Sequence, residues 1–172
     1  NGDALNLGKL LIDNFPSFQD TAQFEGKTIY FYKRAQLLVN DIYTIFQGKS
    51  FGTLKNMDKL TAFADYKLPQ LLRHWGILEY REDLAKNVDA NIQLKKGSRE
   101  EIRTSLRENL VSSLRLEIEI RANAIWAVEY LKEALAKEGI VLQSREIDWF
   151  LWKRAGEEKG MKPYHRVRTI FY

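Results

Sequence analysis

The sequence predicts an all-α protein, one helical body with at most a short hairpin. Three observations predict it. Apolar residues recur at helical spacing along most of the 172 residues. Gly and Pro interrupt that spacing where helices would end. No stretch strings together several separated strands. Element lengths vary too much for a simple four-helix bundle.

Ala4 to Phe15 carries Leu5, Leu7, Leu10, Leu11 and Ile12 and reads as a helix that Pro16 stops. Phe24-Glu25-Gly26-Lys27 reads as a turn, and Thr28 to Tyr32, β-branched and aromatic, as a short extended piece. Lys33 to Gln47 is a helix by the spacing of Leu37, Leu38, Ile42 and Ile45, with Gly48 as its stop. Ser50 to Asn56 is a loop, and Asp58-Lys59-Leu60 opens a helical turn. Pro69 suits a first helical position, after which Leu71, Leu72, Trp75 and Leu78 form an apolar stripe. Glu82 to Val88 is a short helix. Ser98 and Glu101 have capping-box spacing, and the helical pattern runs from Ser98 to Lys137 in two pieces joined near Ser112-Ser113. In the second piece Ile118, Ile125, Val128, Leu131 and Leu135 mark the buried side, and Gly139 ends it. Ser144 is the expected cap of the last helix, Arg145 to about Glu158.

Composition removes several classes of chemistry. There is no Cys, so disulfides, thiolate metal sites and Cys nucleophiles are excluded, and a reducing compartment, the cytoplasm with or without the nucleus, is expected. His74 and His165 are the only histidines and lie far apart in sequence, which argues against a His-based metal site. No run of apolar residues is long enough to span a membrane. The net charge of +4 is matched by a local surplus between Lys153 and Arg168, where six Lys/Arg face only Glu157 and Glu158. Such a segment is either a solvated surface or a place to hold a phosphate or nucleic acid.

Two carboxylates are candidates for chemistry. Asp148 lies in a helix with apolar residues at 147, 149, 150, 151, 152 and 155. A helix apolar nearly all round is expected to be buried on most sides, so its carboxylate needs a partner or a pocket. The plainer alternative is an acid complementing the helix dipole. Asp65, in Phe63-Ala64-Asp65-Tyr66, either makes an Asx turn into the next helix or sits beside rings that could stack on a base. Lys33-Arg34 at a helix start opposes the dipole and is either solvated or an anion site. Two carboxylates, neighbouring rings and some basic residues suit a hydrolase acting on a glycosidic bond of a nucleotide, and equally an ordinary helical domain.

Six strings, in order, resemble the queuosine salvage protein family: FPSFQDTAQFEGK (15–27), FYKRAQ (31–36), FADYKLPQ (63–70), EIRANAIWAVE (119–129), IDWFLW (147–152) and HRVRTIFY (165–172). The resemblance covers essentially the whole chain and matches the C-terminal part of longer family members. It implies a single helical domain over residues 1–172, related to the helix-hairpin-helix DNA glycosylases. It implies hydrolysis of queuosine 5′-phosphate to queuine and ribose 5-phosphate, for salvage of queuine into tRNA, with no metal or organic cofactor. The implied partner is the small nucleotide substrate, with neither a membrane nor a stable nucleic-acid complex. By motif matching Asp65 takes the place of the catalytic aspartate, and Phe63, Asp148 and Trp149 fall on positions that contact the base. Lys33, Arg34, Arg166 and Arg168 are candidates for the 5′-phosphate. Trp149 stands where animal members would have Tyr, and Lys153 where an acidic residue is expected. A binding module of glycosylase ancestry and a non-catalytic interaction domain are the competing readings.

Overall fold

A computed structural model describes residues 2–94 and 108–172, with residues 108–115 described as backbone only. The Ser98–Glu101 capping box lies outside the described residues. Six α-helices are present among those described: α1 Ala4–Asn14, α2 Lys33–Ile45, α3 Lys67–His74, α4 Glu82–Asp89, α5 Glu108–Lys137 and α6 Ser144–Glu157. A hairpin of β1 Thr21–Phe24 and β2 Lys27–Tyr30 precedes α2, and a two-residue parallel pairing joins β3 Gln93–Leu94 to β4 Arg166–Val167. The expected helical class with one hairpin is what the structure has.

The hairpin follows from its turn. Glu25 and Gly26 both take positive φ, 49° and 76°, the geometry that matches the twist of two tightly joined strands. Ala22, Phe24 and Ile29 on its inner side pack against Phe31, Ala64 and Ile118. The main core lies between α3, α5 and α6, where Leu68, Leu71 and Leu72 meet Ala124, Val128, Ile147 and Leu151. A second cluster joins α1 to α2 through Ala4, Val39, Met57 and Leu60.

Four expectations need correction. The helix expected to open at Pro69 begins two residues earlier, at Lys67, because the Asp65 side chain accepts the Lys67 and Leu68 N–H groups and starts the turn there. No join appears at Ser112-Ser113, because α5 continues as one helix of 30 residues. Two serines lower helix propensity by only a few tenths of a kcal/mol each, which a packed helix overrides. The cap of α6 is Gln143, not Ser144: Gln143 and Glu146 form a reciprocal capping box, while the Ser144 hydroxyl donates to Glu129. Finally, α6 is not buried on most sides, since Trp149, Phe150 and Trp152 are 61%, 59% and 48% exposed. Core contact is confined to Ile147, Leu151 and Ala155, spaced i, i+4, i+8. Gly139 does end α5, with φ 79° and the Ile140 N–H returning to the Leu135 carbonyl.

Candidate active site

Three elements converge on a cavity of about 340 Å³. The first turns of α2 contribute Lys33, Leu37, Asn40 and Asp41, which share a face because they are spaced by three, four and seven or eight residues. The segment before α3 contributes Phe63 and Asp65, and α6 contributes Asp148, Trp149 and Trp152. All four residues expected at the site, Phe63, Asp65, Asp148 and Trp149, therefore line one space.

Local hydrogen bonding explains how each carboxylate is held. Asp65 Oδ1 accepts the N–H groups of Lys67 (2.8 Å) and Leu68 (3.0 Å), so the side chain caps α3. The turn role and the cavity position are not alternatives, because the residue has both. Asp148 Oδ1 accepts the Phe63 N–H at 2.9 Å, which ties α6 to the segment carrying Asp65 across 85 residues of sequence. That bond, rather than the dipole of its own helix, is the partner its burial demands.

Both carboxylates are 5% exposed. Burial pushes the Asp65 carboxyl upward, against the opposing effects of the Leu68 and Lys67 N–H groups and the Lys33 ammonium. Asp148 is pushed up to about 7, first by burial and then by the neighbouring Asp65 charge, with the Phe63 N–H and Lys33 pulling the other way. Near neutral pH the site can therefore hold a proton on Asp148 or release it at little cost, a property suited to binding and acid–base work.

This has a measurable consequence for stability. Between about pH 4 and pH 7 the folded chain keeps a proton on Asp148 that the unfolded chain has lost, so stability falls as pH rises through that window. Asp148→Asn is expected to flatten the decline, by at most about 1.4 kcal/mol per pH unit, leaving the part due to Asp65. Urea midpoints at pH 5 and pH 7 read this directly. An unchanged slope would mean that Asp148 is ionised throughout.

The four phosphate candidates separate. Lys33 lines the cavity. Arg34 does not: its guanidinium donates to the Ile170 carbonyl at 3.1 Å and lies over the Phe18 ring. Arg166 and Arg168 line a different cavity, with His165 and Tyr172. Lys153 places its ammonium 5.6 Å from the Trp149 ring centroid and is not part of the cavity wall. Among the described residues no group of three or more His, Asp or Glu is placed to hold a metal ion, and no helix is long and apolar enough to cross a membrane.

Sequence reasoning missed what supports the site. Arg121 is 2% exposed and forks onto Asp20, Nη1 to Oδ1 at 2.9 Å and Nη2 to Oδ2 at 2.5 Å. Its Nε donates to the Ala64 carbonyl, and Asp20 Oδ2 accepts the Lys33 N–H. One ion pair thus holds the residue before Asp65 and the residue that starts α2. The signal was available: Arg121 is the one cation among Ile118, Ile120, Ala122, Ala124 and Ile125, and such a cation is rarely buried unpaired.

The family model for "queuosine salvage protein" matches residues 1–108 and 103–172. A queuosine 5′-phosphate N-glycosylase/hydrolase of Sphaerobacter thermophilus is 42% identical over 170 residues, which are 98% of this chain and 48% of that protein. The protein of that name from Mus musculus is 38% identical over 179 residues, 98% of this chain and 48% of its own length. The one from Dictyostelium discoideum is 34% identical over 174 residues, covering 100% and 49%. The chain spans about half the length of the curated relatives it matches.

Proposed function

The chain belongs to the queuosine salvage protein family, and from that premise we propose that its cavity hydrolyses queuosine 5′-phosphate to queuine and ribose 5-phosphate. The observation that carries the reading is the pairing, in one cavity, of two buried carboxylates with the rings of Phe63 and Trp149 and the ammonium of Lys33. The bond between the sugar C1′ and the base nitrogen breaks, and water supplies a hydroxyl to C1′ and a proton to the base. Released queuine is then free for return to tRNA. The helix-hairpin-helix DNA glycosylases are the fold relatives we assign, and residues 1–172 act as one helical domain of a longer, cytoplasmic protein.

Bond breaking builds positive charge on the sugar. Asp65 faces that charge, as an electrostatic partner or a transient nucleophile, and stabilises it more in the transition state than in the ground state. Queuine is a 7-deazaguanine and has no N7 to protonate, so hydrogen bonds must stabilise the departing nitrogen. Asp148 accepts from the guanine-like N–H edge, a charge-assisted bond worth about 1.5–3 kcal/mol. Lys33 is the cation of the cavity wall available to the 5′-phosphate.

Phe63 and Trp149 flank the base, each stack worth about 1–3 kcal/mol. Trp149→Ala is expected to raise KM roughly 10-fold while leaving the melting temperature nearly unchanged, because most of the ring is already exposed. Steady-state kinetics and a thermal melt check both halves. A large drop in stability with KM unaltered would make Trp149 structural.

The reaction itself is tested by incubating this chain, and a version extended to the length of its relatives, with queuosine 5′-phosphate and following free queuine by mass spectrometry. Release by either supports the reading. Release by neither overturns it and leaves a binding role.

A further inference from the structure

A second cavity, of about 330 Å³, lies away from the two carboxylates. Its lining includes Tyr66, Gln93, Tyr164, His165, Arg166 and Arg168. The pairing of β4 with β3 brings its two halves together, setting Gln93 beside Arg166. Tyr66 and Tyr164 lie with ring centroids 4.6 Å apart, and the Arg166 guanidinium is 6.0 Å from the Tyr164 ring. Tyr66 follows Asp65 directly, so the 63–66 segment separates this cavity from the first.

Its charge is one-sided. Among the described residues the wall has two arginines and no acidic side chain. Neither Arg166 nor Arg168 has a carboxylate partner among the described residues, whereas Arg73, Arg81, Arg121, Arg145 and Arg154 each have one. His165 is 1% exposed, and neither of its ring nitrogens meets a hydrogen-bond partner among the described residues. A buried polar ring left unsatisfied is destabilising unless something else takes its bond. Burial and the Arg121 charge push the imidazole down to about 4, so it is neutral near pH 7 and offers one N–H.

We infer that this cavity is an anion site that binds a terminal phosphate group, with the guanidinium forks of Arg166 and Arg168 as its main donors and the His165 N–H in its wall. Two fixed positive charges match a phosphate dianion, and the planar guanidinium fork matches its oxygens. The inference stands apart from the hydrolase reading, since it concerns different residues and predicts binding without turnover.

The chain has only two histidines, so the imidazole signals in ¹H–¹⁵N spectra report the site directly. Inorganic phosphate would be titrated in at constant ionic strength. The His165 signals are expected to shift saturably while those of His74 do not. Arg166→Gln with Arg168→Gln, both at exposed positions, should weaken binding at least about 10-fold with the melting temperature preserved. Dimethyl phosphate, a monoanionic diester, should bind more weakly than inorganic phosphate. An unmoved His165, a shift that survives the double substitution, or a diester bound as tightly would each overturn the inference. So would loss of the shift in Lys33→Gln, which would put the phosphate in the first cavity.

Discussion

Asp65→Asn is expected to lower the turnover of queuosine 5′-phosphate by at least about 10²-fold, the scale for losing one preorganised electrostatic group. The substitution is informative because it separates two duties of the residue. An asparagine oxygen can still accept the Lys67 and Leu68 N–H groups, so the start of α3 is kept. The negative charge that the proposed reaction sets against the sugar is lost. The expected signature is a fall in kcat with the melting temperature within a few degrees of the parent. Turnover near that of the parent, measured as queuine released per unit time, would remove Asp65 from the chemistry.

Arg121→Met is expected to cost about 3–5 kcal/mol of folding stability, because it leaves the Asp20 carboxylate buried without its counter-charge. For a chain of this size that lowers the melting midpoint by roughly 6–20 °C. More than one bond is lost. The guanidinium lies between the rings of Phe31 and Tyr172, at 4.0 and 4.3 Å, and Glu117, 3.6 Å from its Nη1, accepts the Tyr172 hydroxyl. Adding Asp20→Asn should restore part of the loss by removing the stranded charge. A double variant as unstable as the sum of the two singles would show that ring packing, not the ion pair, carries the effect.

Most elements were legible because their signals are local. The turn at Glu25-Gly26, the spacing of Leu37, Leu38 and Ile42, and Gly139 as a stop each depend on neighbours in sequence, and the structure has them where expected. The exposed side of α6 was not legible. Apolar character at 149, 150 and 152 reads the same whether a ring enters a core or borders an opening. The cap of α6 was missed because Gln143 resembles a cap only once Glu146 is seen to answer it. At the site, motif matching supplied Phe63, Asp65, Asp148 and Trp149, and the structure gathers all four around one cavity. What no window of sequence contains is the Arg121–Asp20 contact, across 101 residues. Arg121 stands out among its apolar neighbours, but only the folded chain makes Asp20 its partner.

That pair also fixes the hairpin at its root. The Phe31 and Tyr32 N–H groups donate to the Asp20 carbonyl, and the Lys33 N–H to the Asp20 side chain, so the segment leaves and re-enters the body at one residue. Beyond that clasp the strands pack their inner side against Phe31, Ala64 and Ile118, and the tip at Glu25-Gly26 is exposed. Chain length at the tip can change without moving Lys33, since the entropy of a longer closed loop grows only slowly with its length. The exposed tip is therefore a natural place to splice in added sequence or attach a reporter group, with the clasp holding the root of the hairpin in place.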